Sequence, residues 1–273
     1  MVLFAPVRIV LAALPIVAMV VITARVLPSP GAVPGPASSL VSLAWGVAAL
    51  LLYAGFVRLV EQRRAEELGS RGAVAEVGLG FAIGAALFAL TMAILLLAGI
   101  AHVGRGDGVR ALVVGLGVAV GAALLEETLL RAIFFRIVED RLGTWTALAL
   151  SAALFGVLHA FSPGATVIST AAIALEAGVI LAAAYAFSRR LWLPIGLHAA
   201  WNFTEGGVFG ASVSGTRPYG LVSSHFSGPA LLSGGAFGPE ASIVAVLVCL
   251  SAGVALIAVA RRRGHVMQPS WRR

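Results

Sequence analysis

The sequence predicts an all-α protein: a polytopic transmembrane helix bundle of about eight spans. Three observations predict it. Hydrophobic residues make up 60% of the 273-residue chain and charged residues only 11%, too few to cover a soluble protein of this length. The apolar residues fall in runs of about 20, the length that crosses a bilayer. The basic residues are all arginine, and they cluster in short segments between the runs.

The first run, Phe4 to Ala24, reads as an uncleaved helix. It has little positive charge before it beyond Arg8 and no clear small-residue cleavage site, so it does not read as a signal peptide. Pro28, Pro30, Pro34 and Pro36 then make a stiff, non-helical connection. A second span, about Leu40 to Val60, ends in the charged segment Glu61 to Gly69. A third runs from Ala73 to Ala101 and is rich in small residues that let neighbouring helices approach closely. A polar loop, His102 to Arg110, leads to the fourth span, Ala111 to Val138, which Glu139 to Gly143 closes. The fifth is Thr144 to Ala160, the sixth Ala165 to Phe187, and the seventh a short run from Leu191 to about Phe203 that continues to Gly206. A long Gly- and Ser-rich connection, Glu205 to Glu240, precedes the eighth span, Ala241 to Ala260, and a basic tail. The chain thus divides into three N-terminal spans (1–110), a four-helix core (111–204), an extracytoplasmic loop (205–240) and a last helix with an Arg-rich tail (241–273).

Eight spans put both termini on one side. Fourteen arginines then flank that side, against Arg25, Arg105, Arg110 and Arg217 on the other. By the positive-inside rule both ends are cytoplasmic. The net charge of +7 therefore reads as topology and lipid-headgroup contact, with no call for nucleic acid. The lone Cys249 excludes an intrachain disulfide. Abundant Ala, Gly and Arg without Lys points to a GC-rich bacterial genome, hence a bacterial plasma membrane.

Chemistry concentrates in the fourth span, which carries Glu126, Glu127 and Arg131 in an apolar stretch. Ionisable groups at membrane depth are costly and mark sites. Glu127 and Arg131, four residues apart, share a helix face and can pair. Glu126, rotated by roughly 100°, is left free. Phe155 and His159 end the fifth span, and His198 and Asn202 share a face of the seventh. Each polar group is costly unless it finds the others, so all are expected at one site. A glutamate beside a histidine can take a proton from water. A second histidine and an amide can stabilise an oxyanion. Alternatively, Glu126, His159 and His198 could bind a divalent metal, zinc foremost, that activates the water. Either chemistry hydrolyses an amide or ester in the membrane. Glu176, the remaining carboxylate at depth, either lines the cavity or pairs with Arg131.

Glu-Glu-x-x-x-Arg at 126–131, Phe-x-x-x-His at 155–159 and His-x-x-x-Asn at 198–202 occur in order on three membrane helices. The set resembles the CPBP family of CAAX-protease and bacteriocin-processing (Abi) intramembrane proteases, most strongly from Leu112 to Phe203. The resemblance implies a CAAX-protease-like core, with Glu126 as general base, His159 as its partner, and His198 with Asn202 on the oxyanion or metal side. It also implies a metalloendopeptidase that acts on a membrane-anchored peptide or protein; the alternative to the metal is metal-free activated water. The competing class is a non-catalytic membrane scaffold or immunity-type protein whose buried polar network is structural. Gly104-Arg-Gly106-Asp107 matches a Gly-x-Gly-Asp motif but lies in a polar loop without a second aspartate at depth, so it reads as a turn. His102, His225 and His265 read as loop or tail residues without partners. The oligomeric state has no signature.

Overall fold

The structure is a computed structural model that describes residues 4–27, 35–216 and 219–272. The expected rigid connection at Pro28, Pro30 and Pro34, and the counted Arg217 and Arg273, lie outside the described residues. The architecture is an all-α polytopic bundle. Its helices are α1 (Ala5–Thr23), α2 (Pro36–Leu59), α3 (Ala73–Leu97), α4 (Arg110–Glu127), α5 (Arg136–His159), α6 (Val167–Ile173), α7 (Val179–Ser188), α8 (Trp192–Asn202), the single turn α9 (Ala230–Ser233) and α10 (Ile243–Arg262). Two short strands, β1 (Ala101–Arg105) and β2 (Val222–Phe226), pair antiparallel.

Among the described residues, six helical stretches are long and apolar enough to cross a membrane. One of them, Arg110–His159, is 50 residues long and turns back at Gly143, whose φ of 77° only glycine adopts freely. A side chain there would also strike the backbone of Met267 and Pro269. The stretch therefore supplies two rods. The short seventh span is α8 prolonged by Phe203–Val208. The eight apolar runs read from the sequence thus each appear as a rod. The boundary drawn before residue 205, however, cuts the seventh, which runs on to Val208.

Small residues set the packing. Ser39 and Ser42 of α2 donate hydroxyls to the Val114 and Val118 carbonyls of α4, at 2.8 and 3.0 Å. A Cβ at Gly121 would lie 2.2 Å from the Ser42 backbone. On the other side of the site, a Cβ at Gly84 of α3 would lie 2.2 Å from the Leu197 carbonyl of α8. Backbones this close leave no driving force but packing, which is how helices associate where lipid is as apolar as their side chains. The outward faces stay apolar: Leu14 and Ile22 of α1, Leu51 of α2 and Leu97 of α3 are all exposed.

The connections sort into two ends. At one end Arg8 and Arg136 both reach Glu61, at 2.5 and 3.0 Å, and Arg63 reaches Glu67 at 2.8 Å. There too Arg189 meets Glu139 at 2.7 Å and Arg190 meets Glu76 at 3.1 Å. The Thr144 amide donates to the Met267 carbonyl, joining the C-terminal tail to the same end. Burial disfavours the Glu61 carboxylate, but Arg136 and Arg8 outweigh it and hold its pKa below the ordinary value. The other end carries β1 and β2, the bond from the Gly220 amide to Asp107, and the contact of Gly164 with Ala236. This is the partition that eight spans require. The Gly104–Asp107 motif is indeed a strand end and turn. His102 is not alone, since it sits opposite His225 in the β1–β2 register. His265 Nδ1 lies 2.8 Å from the Phe187 carbonyl.

Candidate active site

Three of the helical rods that bring polar groups to the centre are locally widened; the one that carries His159 is not. Thr128–Phe135 follows Glu127, Ala174–Gly178 contains Glu176, and Phe203–Val208 follows Asn202; all three are π-helical. Such bulges in otherwise α-helical segments frequently occur at functional sites.

The two adjacent glutamates divide as the helix period requires. Glu127 is fully buried, as is Arg131. The Arg131 guanidinium contacts both Glu127 oxygens at 3.2 Å, and its other nitrogen approaches the Gly178 carbonyl at 3.4 Å. It also lies 5.1 Å from the centre of the Phe155 ring, within cation–π range. Glu127 has a further partner that helix spacing could not reveal: His198 Nδ1, at 2.9 Å. With the Nδ1 proton donated to Glu127, Nε2 of His198 is the other ring edge, 3.9 Å from Glu126 Oε2. The side chain of Glu126 is 31% exposed and its Oε2 has no hydrogen-bond partner. One carboxylate is locked and the other is free.

A cavity of about 530 Å³ runs along this wall. Glu126, Phe155, His159, Glu176, His198 and Asn202 all line it, so six of the eight residues singled out in the sequence meet at one surface. The other two, Glu127 and Arg131, sit behind it. His159 stacks on Phe155 with ring centres 4.5 Å apart, and its Nδ1 faces the Phe155 carbonyl at 2.8 Å. Glu176 lines the cavity and lies beside the Cys249 thiol. The structure also adds two carboxylates that the sequence left in a loop. Glu205, three residues beyond Asn202, and Glu240, just before α10, are both buried and in mutual contact. Ser214 donates its amide and its hydroxyl to Glu240, at 2.7 and 2.8 Å. The signal available was the position of each at the end of an apolar run.

The structure brings Glu126, His159 and His198 to one depth. The helix carrying Glu126 does not stop near Arg136 but continues to the turn at Gly143. At ~1.5 Å per residue, Glu126 and His159 both lie roughly 25 Å from that turn, on adjoining rods. Arg189 pairs with Glu139, so α8 starts above the turn and His198 needs less rise to reach the same level. The cavity then extends from Glu126 away from the arginine-rich end, past Trp45 of α2 to Val213, Ser214, Thr216 and Tyr219. Its lining includes no arginine.

Among the described residues no three His, Cys, Asp or Glu side chains are grouped to hold a metal ion. Glu126, His159 and His198, as placed, do not close around one.

A polar site held at membrane depth in an all-α bundle defines the class: a multi-pass membrane protein with titratable groups facing a lined cavity. Residues 108–204 match the family model described as Type II CAAX prenyl endopeptidase Rce1-like. The match spans α4 to α8, the elements that carry every motif residue, and it supports the CPBP/CAAX protease family and an intramembrane CAAX-type endopeptidase. No curated protein and no solved structure matches the chain.

Proposed function

We propose that the protein hydrolyses a peptide bond in a membrane-associated protein or peptide, with Glu126 as the general base. The observation that carries this reading is the contrast between the glutamates: Glu127 is held by Arg131 and His198, whereas Glu126 faces the cavity, with His198 Nε2 3.9 Å away and no hydrogen bond to its Oε2. Glu126 takes a proton from water as the oxygen attacks the carbonyl carbon. As the C–N bond breaks, the same carboxyl returns the proton to the leaving amine. His159 orients the water from the facing helix. His198 and Asn202 lie on the side where the tetrahedral oxyanion develops. Donation from Nε2 of His198 needs the doubly protonated ring, because Nδ1 is committed to Glu127. Both termini face the cytoplasm of a bacterial cell in this reading, by the arginine asymmetry.

The test is Glu126→Gln in purified full-length protein presented with membrane-tethered peptides. Loss of a general base lowers the rate by ~10²–10⁴, with unchanged thermal unfolding. Full activity in this variant refutes the assignment. Absence of cleavage by the wild type across a broad set of tethered peptides favours the scaffold class instead.

A further inference from the structure

Beyond the catalytic groups the cavity holds a second set of acids. Glu176, Glu205 and Glu240 are 1%, 0% and 2% exposed. They come from three separate segments and interact with one another. Glu240 is the best satisfied, through Ser214. Glu176 Oε2 and both Glu205 oxygens are buried, with the Cys249 thiol beside Glu176 and the Glu240 carboxyl beside Glu205. Glu176 and Glu240 line the same cavity as Glu126. The arginine nearest the catalytic groups, Arg131, is already matched by Glu127, and none lines the cavity. Burying ionised acids without a compensating donor or cation is costly; His159 is the basic side chain that acts on Glu240, and the cost at the others is met by protons held on the carboxyls, which a cation entering the cavity can replace. The three carboxyls are not grouped to hold a metal ion. The walls around them, among them Ile173, Ala177, Ile180 and Val213, are apolar.

We propose that this cluster is a substrate subsite that receives a guanidinium or ammonium group borne on an apolar segment, so that the preferred substrate carries an Arg or Lys close to its scissile bond. The proposal rests on the cavity being the substrate site, and it names the substrate class. A planar guanidinium satisfies several carboxylate oxygens at once through charge-assisted bonds. The stem and neighbouring residues of such a segment fill the apolar walls.

The test is binding rather than cleavage, so that it stands apart from the fate of Glu126. Full-length protein carrying Glu126→Gln, which also removes the competing carboxylate, is titrated with hexylguanidinium and with neutral hexylurea while thermal unfolding is followed. The guanidinium is expected to bind about tenfold more tightly than the urea, as charge-assisted bonds require. Glu176→Gln and Glu205→Gln in that background are expected to abolish the preference. Equal effects of the two probes, no effect of either, or a preference that survives both substitutions overturns the subsite. So does stabilisation by Ca²⁺, Mg²⁺ or Zn²⁺ in place of the organic cation. The guanidinium and urea comparison needs no change within the cluster and decides the matter even if the Gln variants fail to fold. If the preference holds while wild-type protein cleaves nothing, the subsite stands and the catalytic reading fails.

Discussion

Glu126 and Glu127 are neighbours in sequence with opposite fates, and the cause is angular. At 3.6 residues per turn adjacent side chains diverge by roughly 100°, so only one can lie under Arg131. Glu127 does, and it holds His198 as well. Its loss should therefore be felt twice. Glu127→Ala and Arg131→Ala should each cost roughly 3–5 kcal/mol, because each leaves a fully buried charge uncompensated. The double variant should cost less than the sum, since removing both partners removes the stranded charge. Detergent melting of the four-member cycle checks this; additive losses would show that the two groups are independent. The Glu127–Arg131 pair was legible in the sequence because four-residue spacing fixes a shared face. The bond from His198 to Glu127 was not, because it joins residues 71 positions apart. Glu205 and Glu240 escaped for a different reason. Each sits where an apolar run gives way to a Gly-rich stretch, and composition alone reads such a residue as solvated.

The helices show what periodicity and apolar length can and cannot fix. Eight rods follow from eight apolar runs, since backbone groups in lipid must be satisfied within a helix. Their ends follow less well. Glu139 to Gly143 is charged, and charge suggested that the fourth span stops before it. Yet Glu139 is buried, bonded to Thr144 and to Arg189, so the segment stays helical until glycine turns it. That extension places Glu126 and His159 at one level. The π-helical widenings have no signature in composition and were not foreseen. Close approach was foreseen for α3 from its small residues, and the α3–α8 contact makes it quantitative. With the Leu197 carbonyl 2.2 Å from where a Cβ would stand, Gly84→Ala must push away the helix that carries His198 and Asn202. Overpacking of this kind costs typically ~1–3 kcal/mol, and the variant should lose cleavage activity beyond its loss in melting temperature. The same change on the exposed face of α3, Gly78→Ala, whose Cβ meets nothing within 4 Å, should change neither. Equal effects of the two would show that α3–α8 packing does not position the site.

At the scale of the whole molecule, the arginine-rich end is a network in which Glu61 joins α1 to the α4–α5 hairpin through Arg8 and Arg136. Arg136 and Arg8 hold the folded pKa of Glu61 below 4.5 despite burial. Its contribution to stability is therefore complete above the ordinary value and is lost as pH falls through the lowered one. The melting difference between wild type and Glu61→Gln should be wide at neutral pH and close in acid; a constant difference would mean that ionisation is not what stabilises the contact. The same network tests orientation, because it collects the N-terminal helix, three connections and the tail at one face while β1 and β2 mark the other. Arg141 is exposed at the first face and His225 at the second, and native Cys249 is buried and silent. In intact bacterial cells a membrane-impermeant thiol reagent should label His225→Cys directly, and Arg141→Cys only after the membrane is permeabilised. The excess of arginine at one end sets this direction, since positive segments are retained in the cytoplasm. The reverse pattern would invert the protein, and the cavity, which extends toward the β1–β2 end, would then reach toward the cytoplasm instead of toward the outer leaflet.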